Sequence, residues 1–253
     1  MTDALDTASL ALIGAALAED VGAGDFTTLW TFPADREGSA EIVAKAPGVI
    51  AGMDVAVEVF RRVDPALTVR CDVADGAAVE PGARVMAIRG SARSILTAER
   101  VALNFLQRLS GVATVTRDYV RAVEGTGARV IDTRKTTPGM RTLEKRAVRS
   151  GGGANHRHGL HDMVLIKDNH IAAAGGIPQA VEAVRRRNDR GLKVEVETTT
   201  LAEVDQALAA GVDRIMFDNM PVPLLRQAVE RVAAAGAGRP ETEASGGITL
   251  ATI

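Results

Sequence analysis

From Arg129 onward the sequence repeats one unit, a short apolar and β-branched run followed by an Ala-rich amphipathic stretch, joined by short loops. The apolar runs lie at 129–132, 163–166, 193–197, 214–217 and 242–244, and the amphipathic stretches at 141–148, 178–187, 201–209 and 222–234. Such β-α alternation predicts a parallel sheet, because parallel neighbours need a crossover and the helices then cover the sheet. An α/β barrel and a doubly wound sheet both satisfy the pattern, and both place their ligands at the carboxyl ends of the strands. The first 105 residues are organised differently. They predict a helix over 5–19, strands over 39–46 and 48–51, and a helix over 55–62. Two β-branched runs follow at 67–73 and 84–88, antiparallel in character and separated by Asp75-Gly76 and Pro81-Gly82. An apolar-periodic helix over 94–109 follows. The reading is two domains, 1–105 and 106–253.

Composition narrows the function classes. Hydrophobic residues make up 46% and charged residues 25% of the 253, which fits a globular chain and excludes collagen-like, coiled-coil and disordered ones. Aromatics at 3% argue against a base-stacking platform, and a net charge of −2 leaves no global field for a nucleic-acid backbone. Cys71 is the single cysteine, so neither an intramolecular disulfide nor a cysteine metal cage can form. No apolar run reaches the ~18 residues of a membrane span. The early run at 10–18 is short and flanked by Asp6, Glu19 and Asp20, unlike a secretory leader with its basic start. The expectation is a cytoplasmic protein with neither a nucleic-acid nor a membrane partner.

The charge is unevenly spread. Residues 129–170 hold nine Lys/Arg against four Asp/Glu, a net of +5 inside a chain that is otherwise −7. A basic island of that size suits a small, multiply anionic ligand. Polar clusters follow each run of the second half: Asp132-Thr133-Arg134-Lys135, Lys167-Asp168-Asn169-His170, Asp218-Asn219 and Ser245-Gly246-Gly247, with Glu195 and Glu197 two apart on one face of a strand. One such cluster is normally a helix cap, whereas five in register point to a site. Arg134, Lys135, Arg157 and Lys167 supply the cations, and Arg grips a carboxylate or phosphate with a planar fork. His156 lies among them as a ligand hydrogen-bonder. The interleaved Arg157 argues against a zinc site at 156–161. Residues 248–253 read as the first turn or two of a helix, and Ser245-Gly246-Gly247 just before that helix start has the form of a phosphate seat. Glu195 and Asp218 are strand-end carboxylates suited to Mg²⁺, directly or through water, or to stabilising a cationic sugar carbon.

The block from Asp132 to Gly139, with Lys145, Gly151-Gly152-Gly153, Asn155-His156-Arg157 and Leu165 to His170, resembles the quinolinate phosphoribosyltransferase family. Glu19-Asp20 with Asp25, Thr27 and Thr28, Thr97 to Arg100 with Asn104, Val194 to Glu197, Phe217-Asp218-Asn219 and Glu243 to Gly247 extend the resemblance over essentially the whole chain. It implies an N-terminal α/β sandwich domain followed by an incomplete, open α/β barrel. It implies transfer of phosphoribosyl from phosphoribosyl pyrophosphate to quinolinate, giving nicotinate mononucleotide, CO₂ and pyrophosphate in de novo NAD synthesis, with Mg²⁺ as cofactor. By the same resemblance Arg134, His156 and Arg157 meet the quinolinate carboxylates, with Thr133 beside them. Arg100 reaches the neighbouring subunit's active site, Lys135 and Lys167 meet phosphates, Glu195 and Asp218 lie near the ribose and metal, and Ser245, Gly246 and Gly247 hold the 5′-phosphate. The expected assembly is a homo-oligomer, with a dimer as the minimal unit and a hexamer as the larger alternative.

The family pattern continues beyond a position equivalent to Ile253, so the sequence reads as truncated at its C-terminus. Three other readings share parts of the pattern. A molybdenum-transport paralogue has the same fold and tends to lack the Lys167-Asp168-Asn169-His170 form. A Schiff-base aldolase would use Lys167 as nucleophile. A binding relic would keep the pocket without turnover.

Overall fold

The computed structural model describes residues 4–253, and the chain divides into two compact units, Met1–His156 and Arg157–Ile253. Each has its own apolar core.

The first unit begins with α1 (Thr7–Val21), capped by the Asp6 carboxylate, which accepts from the Ser9 N–H at 2.8 Å. The short helix α2 (Phe26–Thr31) follows, capped in the same way by Asp25. The chain continues through β1 (Glu37–Val43), β2 (Gly48–Val49), α3 (Met53–Val63), β3 (Thr68–Cys71), β4 (Ala78–Val79) and β5 (Arg84–Ser91). β5 is the centre of an antiparallel sheet ordered β1-β5-β3, with Ser39 opposite Arg89 and Val69 opposite Ile88. The runs read as an antiparallel pair are therefore partners. Between them the chain also forms β4, which pairs with β2.

Helix α4 (Ala92–Ala122) is far longer than the predicted 94–109, and the boundary read at residue 105 falls inside it. Its buried stripe of Ala98, Ala102, Leu109 and Ala113 packs against α3, whose Val55, Val59 and Phe60 are buried. At Gly52, φ is +93° and an added Cβ would lie 2.5 Å from Leu109, so only glycine lets the two helices close. Helix α5 (Arg141–Ser150) packs on α4. The strand read at 129–132 does not form. The segment makes one parallel bridge, Ile131 to Ala154, flanked by hydrogen bonds from Ala154 N–H to Val130 O at 2.9 Å and from Asp132 N–H to Ala154 O at 3.2 Å.

The second unit follows the predicted alternation. Its order is β6 (Val164–Ile166), α6 (Asp168–Ala174), α7 (Ile177–Arg185), β7 (Val194–Thr198), α8 (Leu201–Ala210), β8 (Arg214–Asp218), α9 (Val222–Ala234) and β9 (Glu241–Ser245). The four strands form one parallel sheet in the order β6-β7-β8-β9. Val196, Ile215 and Phe217 are buried with Val181, Val204, Ala228 and Val232 from the covering helices. Thr200 and Glu203 form a reciprocal capping box at the start of α8, and Gly211 ends it at φ +65°. Residues 248–253, read as the start of a helix, form a turn in which Thr252 and Ile253 N–H donate to Thr249 O. Among the described residues no helix is long and apolar enough to cross a membrane.

Candidate active site

In the first unit, the loop after residue 132 carries Thr133, Arg134 and Lys135. Thr133 Oγ1 accepts from the Lys135 N–H at 3.0 Å, which turns the chain and leaves Lys135 exposed. The loop's far side is anchored by Glu144 on α5, which accepts from Thr137 Oγ1 at 2.8 Å and from Arg108 Nη2 on α4 at 2.9 Å. Burial pushes the Glu144 carboxyl up, but the bonds from Thr137 and Arg108 outweigh it and hold the group below its ordinary value. Arg141 reaches back to Thr136 Oγ1 and to Arg134 O. Arg134 is half-buried, and its Nε has no hydrogen-bond partner among the described residues. A buried N–H without an acceptor costs about 1–3 kcal/mol, and an incoming carboxylate would satisfy it. His156 is half-buried at the end of this unit. Arg100 is exposed on α4 with no hydrogen bond or ion pair among the described residues.

In the second unit the carboxyl ends of the parallel strands collect the remaining polar residues. Arg157 is half-buried, and its Nη1 donates to Met163 O at 3.3 Å just before β6. His158 and His161 are exposed. Lys167 follows β6, and its backbone N–H donates to His170 Nδ1 at 3.0 Å, which shapes the entry to α6. Lys167 Nζ lies 3.7 Å from Glu197 Oε2. Burial raises the Glu197 pKa, the Asp218 and Asp168 carboxylates add to the rise, and Lys167 opposes it. Asp218 ends β8 directly opposite Ser245 at the end of β9. Asn219 adopts φ +52°, donates its N–H to Ser245 O at 2.8 Å and its Nδ2 to Asp218 Oδ2 at 2.9 Å. At Gly246, φ is +85° and an added Cβ would lie 2.2 Å from Asn219 Oδ1, and Gly247 is also left-handed at +67°. The Ser245-Gly246-Gly247 corner therefore admits no side chain at its first glycine.

The two glutamates of β7 part company here. Glu195 is fully buried, opposite Leu165 and Arg214 in register, and its charge acts on Arg214, which also bonds Glu241 and Glu243. Glu197, one pleat nearer the carboxyl end, is the member beside Lys167 and Asp218. Both sit on the same face, so the period-2 pattern could not separate them, and the contact with Lys167 from the neighbouring strand's loop does. Lys145 and Asn155 also escaped the sequence reading as functional residues. Lys145 is only 4% exposed, is paired with Asp132, and donates to His156 O at 3.0 Å.

This architecture has close known counterparts. A family model described as quinolinate phosphoribosyl transferase, N-terminal domain, matches residues 25–110, and the C-terminal domain of the same family matches 112–253. The chain is 46% identical over 257 residues to quinolinate phosphoribosyltransferase (decarboxylating) 2a, mitochondrial, of Nicotiana tabacum, covering 94% of this chain and 72% of that protein. It is 46% identical over 237 residues to the probable nicotinate-nucleotide pyrophosphorylase (carboxylating) of Synechocystis, covering 94% and 80%. Among solved structures, NadC from Streptococcus pyogenes superposes with a TM-score of 0.94 at 42% identity, over 100% of this chain and 88% of that one. The nicotinate-nucleotide pyrophosphorylase from Francisella tularensis superposes with a TM-score of 0.91 at 39% identity, over 97% and 85%.

Proposed function

The chain belongs to the quinolinate phosphoribosyltransferase family, and from that premise we propose how its own residues divide the work. The reaction is the family's: phosphoribosyl moves from phosphoribosyl pyrophosphate to quinolinate, and decarboxylation gives nicotinate mononucleotide in NAD biosynthesis.

The observation that carries the division is the Lys167–Glu197 pair beside Asp218 at the carboxyl end of the parallel sheet. Quinolinate is a dianion, and Arg134, His156 and Arg157 are the groups suited to its two carboxylates, with Thr133 shaping the loop that presents Arg134. Lys135 and Lys167 are exposed cations suited to the phosphates. Ser245, Gly246 and Gly247 offer backbone N–H groups to the 5′-phosphate. Loss of pyrophosphate leaves an oxocarbenium-like carbon, which the Glu197 and Asp218 carboxylates stabilise electrostatically. Attack by the ring nitrogen makes the ring cationic. It can then accept the electron pair released as CO₂ departs, so no covalent bond to the enzyme forms. Glu195 acts from beneath, as the buried counter-charge of Arg214.

Glu197 and Asp218 present only oxygen donors, and their mutual repulsion is relieved by a divalent cation, so the pair fits Mg²⁺. Bound there, Mg²⁺ would neutralise the phosphate charge of the substrate. The remaining proposals follow the family resemblance: a cytoplasmic homodimer or hexamer in which Arg100 reaches the neighbouring subunit's site.

The test is a coupled assay of the purified, folded chain with quinolinate, phosphoribosyl pyrophosphate and Mg²⁺. CO₂ and nicotinate mononucleotide are expected in equal amounts, with no product when Mg²⁺ is chelated. Absence of both products, with or without the metal, overturns the reading.

A further inference from the structure

We propose that Lys145, with Asp132 and Asn155, forms a positioning device that sets the distance between the Arg134 loop and His156 and thereby tunes quinolinate affinity. The proposal rests on the function assigned above.

The two segments that would grip quinolinate from the first unit diverge almost at once. Their backbone pairing stops at the bond from Asp132 N–H to Ala154 O. Beyond it, residues 133–135 and 155–156 share no ladder, and two irregular loops without a ladder would drift independently. A buried side-chain cluster takes over where the ladder ends. Asp132 Oδ1 accepts from Lys145 Nζ and from the His156 N–H at 2.9 Å, and Oδ2 accepts from Asn155 Nδ2 at 2.6 Å. Lys145 Nζ also donates to His156 O at 3.0 Å, and Asn155 Nδ2 to Lys145 O at 2.9 Å. Both polar groups of the His156 backbone are thus bound to a cluster whose acidic member immediately precedes Thr133-Arg134-Lys135.

Lys145 differs from the lysines assigned to substrate. Its side chain is 5% exposed and that of its partner Asp132 8%. The Lys167 side chain is 47% exposed, and Lys135 is exposed as well. A lysine with its ammonium turned into an aspartate and a backbone carbonyl has few donors left for a phosphate. Its chemistry is that of a strut. Buried ion pairs contribute little net stability against an apolar replacement, so their use here is geometric specificity.

The experiment compares wild type, Lys145→Met, Asn155→Ala and the double variant Asp132→Asn/Lys145→Met. Quinolinate affinity is read by titration and both Michaelis constants by turnover. Small displacements of binding groups cost up to about 100-fold, so the quinolinate Kd and KM are expected to rise roughly tenfold or more in each variant. The KM for phosphoribosyl pyrophosphate should stay within about threefold of wild type. The double variant removes both buried charges together, so it should recover thermal stability without recovering quinolinate affinity. Unchanged quinolinate affinity in folded variants overturns the proposal, as does an equal rise in both KM values. Asn155→Ala leaves the ion pair in place and decides the matter alone if Lys145→Met does not fold. A wild-type protein that neither turns over nor binds quinolinate overturns the functional assignment, a result distinct from a functioning wild type with indifferent variants.

Discussion

Glu58 on α3 of the first unit and Glu197 on β7 of the second are the same residue type, with side chains 11% and 15% exposed. Their carboxyls are nevertheless driven in opposite directions. Glu58 accepts from Arg61 Nε and Nη2 at 2.7 and 2.8 Å and from Arg62 Nε at 2.8 Å, and the Arg61 bonds lead in lowering it to about 2 against the upward push of burial. Glu197 has burial and the Asp218 and Asp168 carboxylates raising it, with only Lys167, 3.7 Å away, in opposition. With nearly equal exposure, the count and closeness of cations set the sign. Two guanidiniums in direct contact make a carboxylate a structural anchor. One distant lysine among several carboxylates leaves a group whose charge is costly until a cation or a cationic transition state arrives.

The sharpest way to break this contrast is Glu197→Gln. Losing one preorganised charge at the reacting carbon should slow turnover by about 100- to 1000-fold, with quinolinate affinity kept. Stability should not fall. The folded pKa of Glu197 is raised, so its contribution to stability is present below 4.5 and lost as pH rises through the raised value. Thermal melts at neutral pH check this, and a clear loss of stability there would make Glu197 an anchor like Glu58.

Arg134→Ala and Arg157→Ala come next, each weakening quinolinate binding by about 2–4 kcal/mol if the guanidinium meets a desolvated carboxylate. Titration with quinolinate alone reads this, and unchanged affinity in both would remove these residues from the grip.

Glu58→Gln should show the reverse of Glu197→Gln. Its folded pKa is depressed, so its contribution is present above 4.5 and lost as pH falls through about 2. The variant should lose roughly 2 kcal/mol by urea titration at neutral pH, discounted for the exposed Arg61. Turnover per folded molecule should be unchanged. The smallest effect belongs to Asp218→Asn read as a pH profile. Removing that carboxylate takes away one cause of the raised Glu197 pKa, so the acidic limb of residual turnover should move to lower pH. An upward move would mean that Asp218 does not act on Glu197.

The second unit was largely legible in its sequence, because each β-α repeat carries its own local signals. The apolar runs ending at Ile166 and Phe217 and the amphipathic stretches between them are local patterns, and β7, β8 and α9 lie within a residue of their expected places. The first unit was less legible. Helix α4 runs on to Ala122 because buried Ala113 and Thr116 extend the apolar stripe past the Gly111 that interrupts helix propensity. The segment 129–132 has a strand's composition but finds a single parallel bridge at Ala154. The helices α2 and α6 are six and seven residues long and carry little periodic signal.

The amino-acid sequence by itself determined the α/β class, the basic island and the residue types that chemistry needs at the strand ends, since period, composition and capping are local properties. Tertiary structure alone decided which of Glu195 and Glu197 stands beside Lys167, and that Lys145 turns inward to Asp132 and His156 rather than outward to solvent. The reason is physical. A side chain's charge state and role depend on neighbours brought from distant positions, and burial strengthens those neighbours' effect in a way that no window of sequence records.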